Sequence, residues 1–178
     1  MKAWRVSEFG EPTDVWQLDE ELAECEPNAG ELKIAVEAAG LGLPDVLMCQ
    51  NNYPLTPPLP FTPSQEAAGK VVAVGEGVDK NLIGQRVMGT TLFQAQCGGL
   101  AEYCLMNAGA ALPIPDSMKG EEAAGFFIPF MTAWVGLVRR AQLCADDTVL
   151  ILGASGSSGA AAIQLAKAIG ARVIAVAG

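Results

Sequence analysis

A glycine-rich turn is the part of this 178-residue sequence whose residue spacing points most directly to chemistry. The run GASGSSG at residues 153–159 follows an apolar stretch, TVLIL, and precedes an alanine-rich segment that ends before Gly170. A turn of this kind between a strand and a helix presents free N–H groups and the positive end of the helix dipole, where the pyrophosphate of a dinucleotide binds. The pattern is AxGxxG, and three serines add hydroxyl donors. The predicted cofactor contacts are Ala154, Ser155, Gly156, Ser157, Ser158 and Gly159.

The end of the following strand indicates which dinucleotide binds. Sites for NAD place Asp or Glu about 20 residues after the glycines, where it accepts from the ribose hydroxyls. Gly178 stands at that place in this sequence. Without a carboxylate nothing there repels a 2′-phosphate, so we predict NADPH in preference to NADH, with Gly178 beside the ribose. A glycine-rich turn that binds no nucleotide is the alternative interpretation.

The composition excludes several other classes of function. The sequence has no His, which rules out a Ser-His-Asp or Cys-His nucleophile and any imidazole-bound metal. The net charge is −9 and the Lys and Arg residues are scattered, so neither nucleic acid nor an anionic membrane surface is an expected partner. No apolar run approaches the roughly 20 residues that span a bilayer. We expect a cytoplasmic protein with a small-molecule substrate.

The five cysteines are odd in number, and no two of them have the spacing CxxC. That pattern predicts free thiols and neither a disulfide framework nor a structural zinc site.

The elements around the glycine turn change character along the chain. Short segments rich in β-branched or aromatic residues, separated by Gly, Pro, Asn or Asp, fill the first two thirds and predict a compact β-domain. The predicted strands lie around Ala3–Ser7, Leu32–Ala38, Val71–Val74, Arg86–Thr90 and Leu100–Leu105. Pro44 begins a predicted helix, and the five prolines between Pro54 and Pro63 predict a stiff loop outside any sheet. Apolar positions at helical spacing predict a long buried helix from about Pro129, containing Trp134. We therefore predict domains at residues 1–115 and 116–178, with a strand–helix–strand unit at the end.

Several motifs in this order resemble the medium-chain dehydrogenase/reductase superfamily, and in particular its zinc-free quinone oxidoreductase branch. They are LPFTP at 59–63 with EAAG at 66–69, VGEGV at 74–78, GQRV at 84–87, GGLAEY at 98–103, and the turn at 154–159 leading into QLAK at 164–167. The resemblance implies a mixed α/β fold: a GroES-like β-domain, then the first βαβ unit of a Rossmann domain, with the active site in the cleft between them.

The zinc branch of that superfamily carries metal ligands that this sequence lacks. Gly42 occupies the position of its cysteine, and Gln65 occupies that of its histidine. We therefore expect no zinc, and hydride transfer without a Lewis acid suits reduction of a conjugated C=C bond better than oxidation of an alcohol. In place of a metal shell we expect a buried ion-pair cluster of Asp45, Glu66 and Arg86.

Two further side chains match functional positions of the family. Tyr53, in the segment QNNY, resembles the tyrosine of 2-enoyl thioester reductases that helps to protonate the substrate. A phenol carries its proton at neutral pH and can donate it; packing against the proline-rich loop is the alternative role. Thr132 matches a position near the nicotinamide, and a hydrogen bond to its own helix backbone is the alternative.

Relatives in this family are nearly twice as long, so we expect this chain to be their N-terminal half, and the longer form to be a homodimer. The predicted function is NADPH-dependent reduction of a quinone or an activated C=C bond, in an enone or enoyl thioester, by hydride transfer without zinc. Two alternatives stay open. One is a truncated, non-catalytic nucleotide-binding fragment or a subunit completed by a partner; the other is a zinc-free relative of the alcohol dehydrogenases.

Overall fold

A five-stranded antiparallel sheet organises the first part of the chain. The computed structural model describes all residues from Met1 to Gly178. A separate antiparallel hairpin precedes the sheet and consists of β1 (Ala3–Val6) and β2 (Trp16–Asp19). The sheet has the strand order β6-β3-β4-β5-β7. Its strands are β3 (Glu31–Gly40), β4 (Glu66–Val74), β5 (Arg86–Thr90), β6 (Tyr103–Asn107) and β7 (Leu112–Pro113).

Alternate residues of a strand share one face of its sheet, and on one face of this sheet the apolar side chains pack together. Its buried cluster includes Leu32 and Ile34 of β3, Val71 of β4 and Met106 of β6. Two register irregularities interrupt the pairing of β3 with β4, between Lys33 and Ile34 and between Val36 and Ala38. The five predicted strands are all present. Arg86–Thr90 has the predicted bounds, and the bounds of the other four differ by one to five residues.

Short helices connect these strands. They are α1 (Pro12–Val15), α2 (Leu43–Cys49) and α3 (Gly120–Ala124), with 3-10 turns at Lys80–Leu82 and Phe93–Ala95. Pro44 lies in the first turn of α2, where its missing N–H costs no hydrogen bond. A second buried cluster lies under α2 and contains Val6, Met48, Cys49 and Phe61.

The proline-rich segment was predicted to lie outside any sheet pairing, and that prediction is wrong at Phe61 and Thr62, which form isolated bridges to Val6 and Cys97. Phe61 exchanges two backbone hydrogen bonds with Val6 of β1, at 2.9 and 3.0 Å. Phe61 lies between Pro60 and Pro63 but has its own N–H, so it can form the bridge that its proline neighbours cannot. The Leu59–Pro60 peptide bond is cis.

The last part of the chain contains one strand–helix–strand unit. Helix α4 (Phe127–Ala133) continues as a π-helix over Trp134–Arg140. Strands β8 (Thr148–Leu152) and β9 (Arg172–Val176) are parallel and are joined by α5 (Ser157–Ile169). Ile151 is buried, whereas 71% of Leu152 is exposed. One face of this pair of strands is therefore covered and the other is open.

The mixed α/β prediction is confirmed, but the helix predicted from Pro129 differs in two respects. It begins at Phe127, and Trp134, which we expected to be buried, is 45% exposed. Periodic apolar spacing locates a helix, but it does not show whether another element covers the apolar stripe. None of the helices is both long and apolar enough to cross a membrane.

The chain divides into two units, Met1–Ala124 and Gly125–Gly178. The division comes later than the one predicted after residue 115, because α3 packs against β3 and β4. A Cβ at Gly120 would lie 3.1 Å from the Cβ of Glu37, and Gly40 lies directly against the backbone carbonyl of Ala124.

Candidate functional site

The glycine turn begins where β8 ends. Gly153 has φ +64°, a left-handed conformation that residues other than Gly rarely adopt. The N–H of Ala154 donates to the carbonyl of Val176 in β9 at 3.0 Å. Gly156 is the N-cap residue of α5. The turn therefore lies at the carboxyl ends of both parallel strands, where open α/β sheets bind ligands.

The other two glycines of the turn have different steric surroundings. A Cβ built on Gly159 would lie 2.8 Å from the Cα of Ala154 and would overlap the carbonyl oxygen of Gly153. A Cβ on Gly156 would meet only the carbonyl oxygen of Gly153, at 3.4 Å. Gly159 therefore allows the helix to pack on the strand, whereas Gly156 leaves space in front of the backbone.

The start of α5 has the features of an anion-binding helix end. No side chain caps the helix, and the hydroxyl-bearing residues Ser155, Ser157 and Ser158 are exposed. The first amides of a helix lack intrahelical acceptors and carry the positive end of the dipole. The open space at Gly156 is where the backbone of such a turn admits a pyrophosphate, so the residues present fit a dinucleotide.

The structure places the remaining predicted cofactor residues as follows. Gly178 is exposed and comes two residues after Val176, whose carbonyl accepts from Ala154 of the turn, so it lies at the same end of the strands. Thr132 is exposed, and its Oγ1 donates to the carbonyl of Ile128 at 2.8 Å. The backbone hydrogen bond that we considered for Thr132 is therefore formed.

In the first unit, Tyr53 follows α2 and is half-buried. Its side chain packs against the cluster of Val6, Met48 and Phe61. Its carbonyl accepts from both the N–H and the hydroxyl of Thr56, which shapes the turn into the proline-rich segment. Packing holds the ring, and the phenol hydroxyl has no hydrogen-bond partner within the protein.

Asp45 lies in the first turn of α2, and only 3% of it is exposed. Its carboxylate accepts from the N–H of Gly42 at 2.9 Å and from the N–H of Ser64 at 2.8 Å. Burial raises the pKa of the Asp45 carboxyl, although the backbone N–H groups that donate to it act in the opposite direction. Next to Ser64, the buried Gln65 points its Nε2 to the sulfur of Met48 at 3.8 Å.

The predicted ion-pair cluster of Asp45, Glu66 and Arg86 is wrong. Arg86 binds Glu37 of β3 instead, with Nη2 to Oε2 at 2.8 Å, and its Nη1 donates to the carbonyl of Met118. The hydrogen bond to Glu37 raises the pKa of Arg86. Asp45 is held by backbone amides, because its position at a helix start supplies N–H donors without a cation.

The structure brings no three His, Cys, Asp or Glu side chains together in a geometry that could hold a metal ion. Gly42 and Gln65, at the positions where the zinc branch carries ligands, belong to the backbone and side-chain arrangement around Asp45.

Sequence reasoning missed a disulfide between Cys25 and Cys97, and the expectation of free thiols is therefore wrong for these two residues. They are separated by 72 positions, so no local spacing could have revealed the pair. Cys49, Cys104 and Cys144 are free, as expected. Cys49 is buried and accepts from Nε1 of Trp16 at 2.8 Å.

The comparisons with known proteins agree with this arrangement. Residues 28–116 match the family described as the alcohol dehydrogenase GroES-like domain. A quinone oxidoreductase of Rattus norvegicus is 34% identical over the whole chain, which covers 53% of that relative. The chain belongs to the medium-chain dehydrogenase/reductase superfamily, a family of oxidoreductases.

Two solved structures extend the comparison. A quinone oxidoreductase of Thermus thermophilus, studied alone and as a complex with NADPH, is 37% identical, with a TM-score of 0.83 over 100% of this chain and 54% of its own. The CurK enoyl reductase is 31% identical, with a TM-score of 0.87 over 99% of this chain and 54% of its own. The chain spans about half the length of the curated relatives it matches.

Proposed function

We propose that this chain forms part of an NADPH-dependent oxidoreductase that reduces a quinone or an activated C=C bond. The observation that carries the proposal is the turn at residues 153–159. Gly159 is required for packing, Gly156 leaves the backbone accessible, and the uncapped start of α5 presents free amides beside it. That combination is what a dinucleotide pyrophosphate needs.

NADPH, when bound, supplies the hydride. In this chain the amides of Ser157, Ser158 and Gly159 would hold the pyrophosphate, and the serine hydroxyls would donate further hydrogen bonds to its oxygens. Gly178, two residues after the end of β9, has no side chain that could repel a 2′-phosphate. The complex of the Thermus thermophilus relative with NADPH supports the same choice of nucleotide.

The proposal includes hydride transfer without zinc. Gly42 and Gln65 replace the thiol and imidazole ligands of the zinc branch, and the carboxylate of Asp45 is occupied by backbone N–H donors. Reduction of a carbon–carbon bond conjugated to a carbonyl, or of a quinone, places negative charge on an oxygen that hydrogen-bond donors can stabilise.

Tyr53 is the proposed proton donor for an enone or enoyl thioester substrate. Its ring is fixed against the cluster under α2, whereas its hydroxyl has no partner within the protein. Packing holds the Oη atom in one place, and the hydroxyl can give its proton to the substrate carbon. The likeness to CurK, which is named an enoyl reductase, supports this substrate class.

A second candidate function is nucleotide binding without catalysis. It is favoured by the open apolar face of the strand pair, where Leu150, Leu152, Ile174 and Val176 are exposed. A partner that covers this face would complete such a subunit. Turnover of NADPH with a quinone, an enone or an enoyl thioester distinguishes the two candidates, because only the first predicts consumption of the nucleotide.

The variant Gly156→Ala tests the proposed nucleotide site. The added Cβ meets only one atom, at 3.4 Å, and the backbone φ of −75° suits alanine, so the fold is retained. The methyl group projects into the space proposed for the pyrophosphate. We expect fluorescence titration to show NADPH affinity at least tenfold weaker, or about 1.4 kcal/mol.

Gly136→Ala is the matched control, because a Cβ at Gly136 meets nothing within 4 Å and the residue lies outside the turn. It should bind NADPH as the parent chain does. Equal affinity in Gly156→Ala and the parent, with unchanged circular dichroism, would remove the turn from the nucleotide site.

A further inference from the structure

The disulfide between Cys25 and Cys97 joins two loops of the first unit. Cys25 lies between β2 and β3, and Cys97 lies between β5 and β6, with Cα atoms 6.8 Å apart. Both residues are half-buried. Small oxidants and dithiols can therefore reach a pair of sulfur atoms that the backbone already holds within bridging distance.

The Cys25 side of the pair is anchored independently of the disulfide. Lys33 of β3 donates from Nζ to Glu24 at 2.6 Å and to Glu26 at 2.8 Å, and these two residues flank Cys25. Only 8% of the Lys33 side chain is exposed. Its Nζ also lies 5.2 Å from the ring centroid of Tyr103. Because this anchor remains when the disulfide is reduced, the two thiols stay close and can pair again.

The Cys97 side supports the proline-rich segment, which follows the proposed proton donor Tyr53 in the chain. The N–H of Thr62 donates to the carbonyl of Gln96, and Nε2 of Gln96 donates to the carbonyl of Pro58 at 3.2 Å. The N–H of Gly99 donates to the carbonyl of Ser64 at 2.9 Å. We call residues 92–100 the support loop. It holds residues 58–64, and the last of these, Ser64, donates its N–H to the carboxylate of Asp45.

We propose that Cys25 and Cys97 form a reversible oxidative modification site whose oxidant is a hydroperoxide and whose reductant is a dithiol. One thiolate attacks the hydroperoxide and the O–O bond breaks, which leaves a sulfenic acid on the protein. The departing oxyanion takes up a proton and becomes an alcohol, or water when the oxidant is hydrogen peroxide. The second thiol displaces the sulfenic hydroxyl as water, which forms the S–S bond. The peroxide is reduced by two electrons and the thiol pair is oxidised by two. A dithiol reverses the reaction by exchange.

The disulfide fixes the support loop, and reduction loosens the loop together with residues 58–64. Its effect on turnover rests on the proposed oxidoreductase function, whereas its effect on the loop does not. Disulfides in a reducing compartment such as the cytoplasm, where we expect this protein, are usually redox-sensing or catalytic.

Thiol counting on the folded chain tests the chemistry. In the oxidised protein only Cys144 is both free and exposed, so native labelling with a maleimide should add one group. Reduction with dithiothreitol should raise the number to three, and hydrogen peroxide should return it to one. Three labels after peroxide, or one label after dithiothreitol, would overturn the reversible pair.

Hydrogen exchange tests the structural effect. On reduction, the amides of Gly99 and Thr62 should exchange about tenfold faster, while β3 is unchanged as an internal reference. Cys25→Ser should show the fast exchange without responding to peroxide, and Cys144→Ser, the matched control, should respond as the parent does. If Cys25→Ser does not fold, the comparison of the oxidised parent with the reduced parent still tests the proposal.

Identical exchange rates in the oxidised and reduced states would overturn the proposal that the disulfide restricts the motion of the support loop. NADPH titration of both states separates this result from a failure of the proposed function, because the glycine turn shares no residue with the disulfide or the support loop.

Discussion

The backbone N–H of Ser64 donates a hydrogen bond to Oδ1 of Asp45 at 2.8 Å, and this contact joins α2 to the segment before β4. Ser64 has φ +79°, an unusual conformation for a residue other than Gly. Its Oγ lies 2.9 Å from the carbonyl oxygen of Gly40 and 2.8 Å from that of Glu66, so its single proton is shared between these two acceptors. The neighbouring Gln65 is positioned by the same contacts. Asp45 therefore fixes the position of the backbone segment that precedes β4.

We expect Asp45→Asn to lower the free energy of unfolding at pH 7 by about 1–3 kcal/mol, measured by urea denaturation. The carboxylate accepts from Ser64 and Gly42 with separate oxygens. An amide has one oxygen, so its NH₂ group would face one of the two N–H donors. Asp79→Asn is the control, because Asp79 is exposed and accepts only from the N–H of Asn81. If the two variants lose similar stability, the burial argument for Asp45 fails.

Gly159→Ala should destabilise the second unit by about 1–3 kcal/mol, because the added Cβ would overlap the backbone of Gly153 and Ala154 and force α5 away from β8. Hydrogen exchange over residues 148–169 would locate the loss. In Gly136→Ala the Cβ meets nothing within 4 Å, so that variant should be as stable as the parent or more stable. Normal protection in Gly159→Ala would contradict the packing role of this glycine.

The stability of the first unit should fall at alkaline pH. Burial raises the pKa of the Cys104 thiol from 9.0 to about 12, so above pH 9 the unfolded chain loses this proton while the folded chain retains it. Because the folded state then binds more protons, the free energy of unfolding decreases as pH rises. Between pH 8 and pH 10 the contribution of Cys104 is about 1.4 kcal/mol.

The comparison of the parent with Cys104→Ala isolates this contribution. Burial also raises the pKa of Cys49, but Cys49 is present in both proteins. Urea denaturation at the two pH values should show a shallower decrease in Cys104→Ala, whereas Cys144→Ala, altered at an exposed thiol, should keep the parent's decrease. Parallel pH profiles for the parent and Cys104→Ala would contradict the claim that the buried Cys104 thiol causes part of the loss of stability at alkaline pH.

Tyr53→Phe should lower kcat for reduction of an enone tenfold or more, with a smaller effect on KM, in the longest form of the protein that shows turnover. The ring and its packing are retained, and only the proton donor is lost. Tyr103→Phe, at the other tyrosine of the chain, is the control, since Tyr103 belongs to β6 and its ring contacts the ammonium group of Lys33. Undiminished turnover in Tyr53→Phe would leave Tyr53 with a packing role alone.

The glycine turn could be predicted from the sequence because its determinants are neighbours in the chain. These determinants are local properties: a continuous apolar strand, a residue that needs a positive φ, a small residue at the third position of the helix, and the length of the βαβ unit. The strand Arg86–Thr90 and the strand Thr148–Leu152 were predicted with the bounds that the structure shows. The absence of the zinc branch's ligand residues at Gly42 and Gln65 could be predicted for the same reason, because residue types at motif positions are read directly from the sequence.

The partners of polar and sulfur-bearing side chains were decided by the tertiary structure. Arg86 binds Glu37, 49 residues away, and Cys25 binds Cys97, 72 residues away. The exposure of Trp134 also depends on which elements cover its helix. Neighbouring residues determine backbone geometry through steric and hydrogen-bonding limits, whereas a long-range partner is selected only when the folded chain brings two groups within contact distance.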